Sequence, residues 1–176
     1  MEDNFDLTEL TKKTRKKVNS RQKGSAFERK VCTILNETFD TNEFCRSPGS
    51  GAFATTHTLP KHLKIYGDII TPEKFRFSIE CKKGYNNINL YSLLDYSSKF
   101  WEFIEKSKKD ADSAGREFMV ILQQDRQPIL CVTENSLLFH SIDKTITIIN
   151  NNKLYEIFLF EDALKLGKDV WFNQPE

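Results

Sequence analysis

Several things are missing from this sequence. No run approaches the roughly 20 apolar residues that a bilayer-spanning helix needs, and the opening MEDNFDLTEL has no apolar core behind a basic start. Neither membrane insertion nor export is expected. No Cys-x-x-Cys pair and no Cys/His spacing suits zinc. The four cysteines, Cys32, Cys45, Cys81 and Cys131, stand apart in or near apolar runs. They read as buried thiols of a reducing, cytoplasmic compartment. There is no internal repeat and almost no net charge, since 26 Lys plus Arg against 25 Asp plus Glu leave +1. What is present is an ordinary folding composition of 176 residues, 39% hydrophobic and 12% aromatic, with 14 Phe. That length fits one compact domain with extensions.

Charge is unevenly placed. Residues 11–30 hold nine bases, Lys12, Lys13, Arg15, Lys16, Lys17, Arg21, Lys23, Arg29 and Lys30, against the single acid Glu28. Such a block can neutralise phosphates, although a solvated tail has the same composition. From Glu134 to Glu176 the sign reverses, with seven acids against four Lys. Three regions follow: a basic arm (1–22), a core (23–133) and a C-terminal extension packed on it (134–176).

Apolar periodicity outlines the elements. Ser25 and Glu28 form a capping-box pattern, and Phe27, Val31, Ile34 and Leu35 recur at helical spacing to about Phe39. A short strand at 43–46 precedes the small-residue loop opened by Ser47-Pro48-Gly49-Ser50-Gly51. Two strands, 67–71 and 75–82, are expected to form a hairpin around Pro72-Glu73-Lys74, the second with an apolar and a polar face. One long helix is predicted from Leu90 to Ala114, stopped by Gly115. Strands at 117–124 and 129–133 follow, the first apolar enough to be buried on both faces. A short helix near 136–140, a hairpin around Asn150-Asn151-Asn152 and a helix from Glu161 complete the chain. This order predicts an α/β (α+β) fold, a central mixed β-sheet flanked by helices.

The period of two puts Glu80 and Lys82 on one strand face, with Ile79 and Cys81 on the other. An even hairpin register brings Asp68 to the same face as Glu80; an odd one sends it to the core side. Two neighbouring carboxylates repel unless a divalent cation lies between them. Mg²⁺, with Mn²⁺ as a substitute, suits Asp68 and Glu80 with the Cys81 carbonyl, because it is commonly held by one or two carboxylates, water and a substrate phosphate. Lys82 would position or help deprotonate an attacking water. That is phosphodiester hydrolysis. The alternative is a solvated Glu80/Lys82 surface pair and an unrelated strand-edge Asp68.

The wider context narrows the choice. Gly67-Asp68-Ile69-Ile70 followed by Ser78-Ile79-Glu80-Cys81-Lys82 resembles the PD-(D/E)xK nuclease core, with Gly67 replacing the motif's proline, a departure expected to cost little. Lys23-Gly24-Ser25-Ala26-Phe27-Glu28-Arg29 and Arg46-Ser47-Pro48-Gly49-Ser50-Gly51 resemble the first helix and the Arg-x-Pro-x-Ser-Gly loop of archaeal-type Holliday-junction resolvases, which also occur in phages. The resemblance spans about residues 22–133 and implies a restriction-endonuclease-like core. It further implies Glu28, Asp68 and Glu80 as metal ligands, Lys82 as the catalytic lysine, and Ser50 on the scissile strand. Arg29 and Arg46 would hold phosphates. Locally, Glu28 also reads as a capping acid and Ser50 as a turn serine. His57, His62 and His140 receive no role.

A resolvase must cut two strands at symmetric positions, so a homodimer on branched DNA is expected, without a small-molecule cofactor or a membrane. Phe100, Trp101 and Phe103 cluster on the long helix, either as core or as a partner surface. Residues Lys12 to Lys23 would lie along DNA arms. The resemblance places the protein in the cytoplasm of a bacterial, archaeal or phage-infected host cell. Two other readings compete: a nuclease of the same core acting on linear or nicked duplex in restriction or repair, and a non-catalytic DNA-binding module.

Overall fold

The computed structural model describes residues 19–48, 66–134 and 137–173. Lys12, Lys13, Arg15, Lys16 and Lys17 of the basic arm, Ser50, His57 and His62 lie outside them. The first helix, α1, runs Ser20–Phe39, six residues longer at its start than the capping pattern predicted. Its N-cap is Asn19, whose side chain accepts from the Arg21 N–H at 3.1 Å. Ser25 and Glu28 therefore sit inside the helix, and Glu28 is buried rather than closing a cap.

Two short strands, β1 (Cys45–Arg46) and β2 (Ile69–Ile70), pair antiparallel. They stand beside a five-stranded sheet of β3 (Phe77–Lys83), β4 (Glu117–Gln123), β5 (Leu130–Glu134), β6 (Thr145–Asn150) and β7 (Lys153–Leu159), in the order β3-β4-β5-β7-β6. Only β3 and β4 are parallel. The expected hairpin between 67–71 and 75–82 is not a ladder, because β2 pairs with β1 instead. Its link to β3 is one backbone bond, from the Asp68 N–H to the Ile79 carbonyl at 2.8 Å.

Parallel pairing of β3 with β4 requires a crossover, which is helical here. It contains α2 (Leu90–Leu94) and α3 (Lys99–Ala114) in place of one long helix. The break falls at Asp95, whose carboxylate accepts from the Ser97 N–H and hydroxyl at 3.0 and 2.7 Å, a local turn that outcompetes helix. Gly115 ends α3 in the left-handed conformation, as expected. In the β6–β7 hairpin, Asn151 and Asn152 both take positive φ, matching the strand twist. A 3₁₀ turn (Leu137–Phe139), α4 (Phe160–Leu164) and α5 (Lys168–Trp171) complete the described chain.

The sheet separates two cores. Under α1, Phe39, Phe44, Phe75, Phe77, Phe139, Phe160 and Trp171 pack with Ile79, Met119 and Ile121. Under α3, Phe100, Trp101 and Ile104 pack with Phe118, Val120, Val132, Tyr155 and Ile157. Phe100 and Trp101 are thus core, with Phe103 packed against it, which removes them as a partner surface. Strand β4 is buried on both faces as its composition predicts. The stretch after Glu134 joins the same sheet, since β7 inserts between β5 and β6 and Trp171 enters the first core. Three cysteines are buried; Cys45, expected to be, is exposed, because in this extended segment it alternates with the buried Phe44 and the half-buried Arg46. Among the described residues, no helix is long and apolar enough to cross a membrane.

Candidate active site

Strand β3 forms one edge of the sheet, and its outward backbone groups are met by Asp68. Both Ile79 and Cys81 offer their backbone to that edge, alternating with residues bonded to β4. The Ile79 carbonyl accepts from the Asp68 N–H, and the Cys81 N–H donates to Asp68 Oδ2 at 2.8 Å. On its other side the Asp68 carbonyl accepts from the Ser47 N–H at 2.9 Å. Asp68 thus bridges the small sheet and the large one, fixed by three bonds.

Gly67 permits this approach. Its φ is +75°, and a Cβ there would lie 2.5 Å from the Ile79 carbonyl oxygen. Proline, locked near φ −65°, cannot adopt that conformation. The motif's proline would therefore not be accommodated at position 67 of this backbone.

Glu80 and Lys82 project from β3 on the α3 side. The alternative of a solvated Glu80/Lys82 surface pair fails, because α3 covers this face: Ser78 is buried and Glu80 is 2% exposed. One oxygen of Glu80, Oε1, accepts from Lys82 Nζ and from Lys106 Nζ, the latter at 2.9 Å. Lys82 also lies over the Phe103 ring, 5.1 Å from its centroid. Lys106 was not visible in the strand motif. Its signal was helical, since Phe103, Lys106 and Asp110 form a stripe beside the buried Phe100, Ile104, Ser107 and Ala111. Sequence spacing does not say which strand that stripe meets.

Electrostatics separate the two carboxylates. Burial raises the Asp68 carboxyl from 3.8 to about 6, and the Glu80 charge adds to it, against the Cys81 N–H and Lys82. Burial also penalises ionised Glu80, but Lys82 and Lys106 outweigh it and hold that carboxyl below its ordinary value. Asp68 is therefore the acid with an unmet demand for positive charge, and Glu80 the one already supplied.

Glu28 reaches this edge from α1, on the opposite side of the sheet from Glu80, and its charge acts on Asp68 and on Cys81. It is paired with Arg46 Nε of β1. Asn36 secures that strand, donating to the Phe44 carbonyl at 2.9 Å and accepting from the Phe44 N–H at 3.0 Å. Arg46 thus meets Glu28. Arg29 and Lys23 lie on the exposed side of α1, with Lys23 Nζ 3.9 Å from Asp125.

Among the described residues, no group of three or more His, Cys, Asp or Glu is close enough to hold a metal ion. Glu28 is turned to Arg46, and Glu80 to its two lysines. What fits a divalent cation is narrower: two acids, Asp68 and Glu80, with the Cys81 carbonyl directed to the same edge. Oxygen donors of this kind suit Mg²⁺, which needs few protein ligands. The site resembles a hydrolytic centre for anionic substrates, with buried acids beside ammonium groups.

Comparison with family models matches residues 19–166 to the family described as "Phage putative PDDEXK endonuclease". No curated protein and no solved structure matches the chain. The chain belongs to that phage family of the PD-(D/E)xK nuclease superfamily, over a longer span than the motifs alone suggested.

Proposed function

We propose that this phage-type endonuclease is a Mg²⁺-dependent, structure-selective enzyme that hydrolyses phosphodiester bonds of four-way junctions or related branched DNA, in the cytoplasm of an infected cell. The observation that carries the hydrolytic reading is Asp68, bonded to the Cys81 N–H, with its carboxyl raised by burial first and by the charge of Glu80 second. Asp68, Glu80 and the Cys81 carbonyl would hold Mg²⁺ or Mn²⁺. When bound, such an ion polarises a phosphate oxygen and acidifies a water. Lys82 presents an ammonium to the charge that gathers on the phosphate oxygens in the transition state. Glu28 fixes Arg46 and adds negative potential beside Asp68.

Lys23 and Arg29 on α1, with Lys12, Lys13, Arg15, Lys16 and Lys17 before it, supply sequence-independent phosphate contacts. Preference for a junction is supported by the likeness of Arg46-Ser47-Pro48-Gly49-Ser50-Gly51 to the resolvase loop, in which Ser50 would meet the scissile strand. Cutting both strands of a junction symmetrically calls for a two-fold homodimer.

The test incubates the protein with a four-way junction, a nicked duplex and a linear duplex, each with Mg²⁺ and with EDTA. Paired symmetric cuts in the junction, lost in EDTA, are expected. Equal cutting of linear duplex would make it a restriction or repair nuclease. Tight junction binding without any cut would make it a DNA-binding module.

A further inference from the structure

Lys106 belongs to no motif, yet it reaches Glu80 Oε1 from another element, 26 residues along the chain. Two ammonium groups on one carboxylate oxygen exceed what a single negative charge requires. Lys82 alone satisfies the pairing a buried carboxylate needs. The lysines differ in how firmly they are held. The Lys82 side chain is 15% exposed and lies over Phe103, whereas the Lys106 side chain is 57% exposed on the outer stripe of α3. Asp110 is one helical turn further along that stripe, a second partner within reach of the same ammonium.

We propose that Lys106 is a positioning residue: it occupies Glu80 in the cation-free enzyme, yields that oxygen to a divalent cation, and then turns its ammonium outward to a DNA phosphate. This rests on Asp68 and Glu80 being the cation-binding pair. A cation about 2.1 Å from Glu80 Oε1 would stand within a few ångströms of both ammonium groups, and their repulsion expels the one with a route to solvent. Lys106 has that route and a flexible stem. It thereby couples two events, filling of the acidic edge and gain of a phosphate contact.

The experiment titrates Mn²⁺ into metal-stripped, full-length, DNA-free protein, with free Mn²⁺ followed by electron paramagnetic resonance. Wild type, Lys106→Met, Lys106→Arg and Glu80→Gln are compared. Lys106→Met removes a competing charge and is expected to bind Mn²⁺ about threefold more tightly, the scale of an exposed ion pair. Lys106→Arg keeps the charge and should stay near wild type. On a four-way junction in Ca²⁺, Lys106→Met should bind more weakly, with a salt slope lower by about one. A merely structural lysine would move neither quantity in this pattern. Lys106→Met binding Mn²⁺ no more tightly than wild type overturns the proposal while leaving the cation pair intact. Glu80→Gln binding Mn²⁺ as tightly as wild type overturns the reading of the pair, and this proposal with it.

Discussion

Strand β3 has two faces made of opposite materials. Toward α1 it presents Phe77, Ile79 and Cys81 to an aromatic core; toward α3 it presents Ser78, Glu80 and Lys82. Both faces are covered, so the charges are not on the second face because water is there. The first face gains free energy from burial, with Trp171 in ring contact with Phe39, Phe75, Phe77, Phe139 and Phe160 at 5.6–6.2 Å. The second face spends part of that gain on a desolvated acid, Glu80. One strand therefore joins the best-packed part of the molecule to its least comfortable charges, and the packing on one side holds the chemistry on the other at fixed distances.

Substitutions at either face can break this comparison. Trp171→Ala should cost about 3–5 kcal/mol of unfolding free energy in urea denaturation, as a fully buried aromatic whose cavity cannot collapse. A cost below about 1 kcal/mol would remove the contrast between the faces. Gly67→Ala should cost about 2 kcal/mol or more, because of its positive φ and the Ile79 carbonyl, and should lower cleavage by displacing Asp68. Wild-type stability and activity in this variant would show that the backbone before Asp68 is unconstrained.

The charged face gives a smaller effect of opposite sign. In EDTA at pH 7, Asp68→Asn should raise stability by about 1–2 kcal/mol, since it removes an acid whose ionisation the fold disfavours. The pH dependence follows from the direction of the shift. Folded Asp68 keeps its proton to about 6, while the unfolded chain loses it near 3.8, so unfolding is favoured progressively as pH rises between them. The advantage of Asp68→Asn should therefore disappear below that window. An advantage that grows as pH falls would reverse the assignment. Least affected should be the exposed apolar residues away from both faces: Ile149→Thr and Leu94→Gln should change stability by no more than about 0.5 kcal/mol, which thermal unfolding can check.

Much of this was legible in the chain. Alternation in Phe77–Lys82 put Glu80 and Lys82 together, the apolar run Phe118–Leu122 marked an interior strand, and Asn150-Asn151-Asn152 marked a hairpin. What escaped depends on contacts distant in sequence. Asp68 reaches Glu80 through the Ile79 carbonyl and the Cys81 N–H, with no ladder whose register could be counted. Glu28 looked like a capping acid because Ser25 precedes it, whereas Asn19 had already started the helix. Lys106 lies on a helix whose facing strand is set by the crossover, which local spacing does not encode.

On the proposed function, the edge shared by Asp68 and Glu80 breaks the DNA backbone. Single-turnover cleavage of a four-way junction by Glu80→Gln, at saturating protein and Mg²⁺, tests it most directly. The expected rate is at least about 10³-fold below wild type with junction affinity in Ca²⁺ nearly unchanged, as for loss of a group that acts in the transition state. A Glu80→Gln enzyme that cuts at the wild-type rate would contradict it.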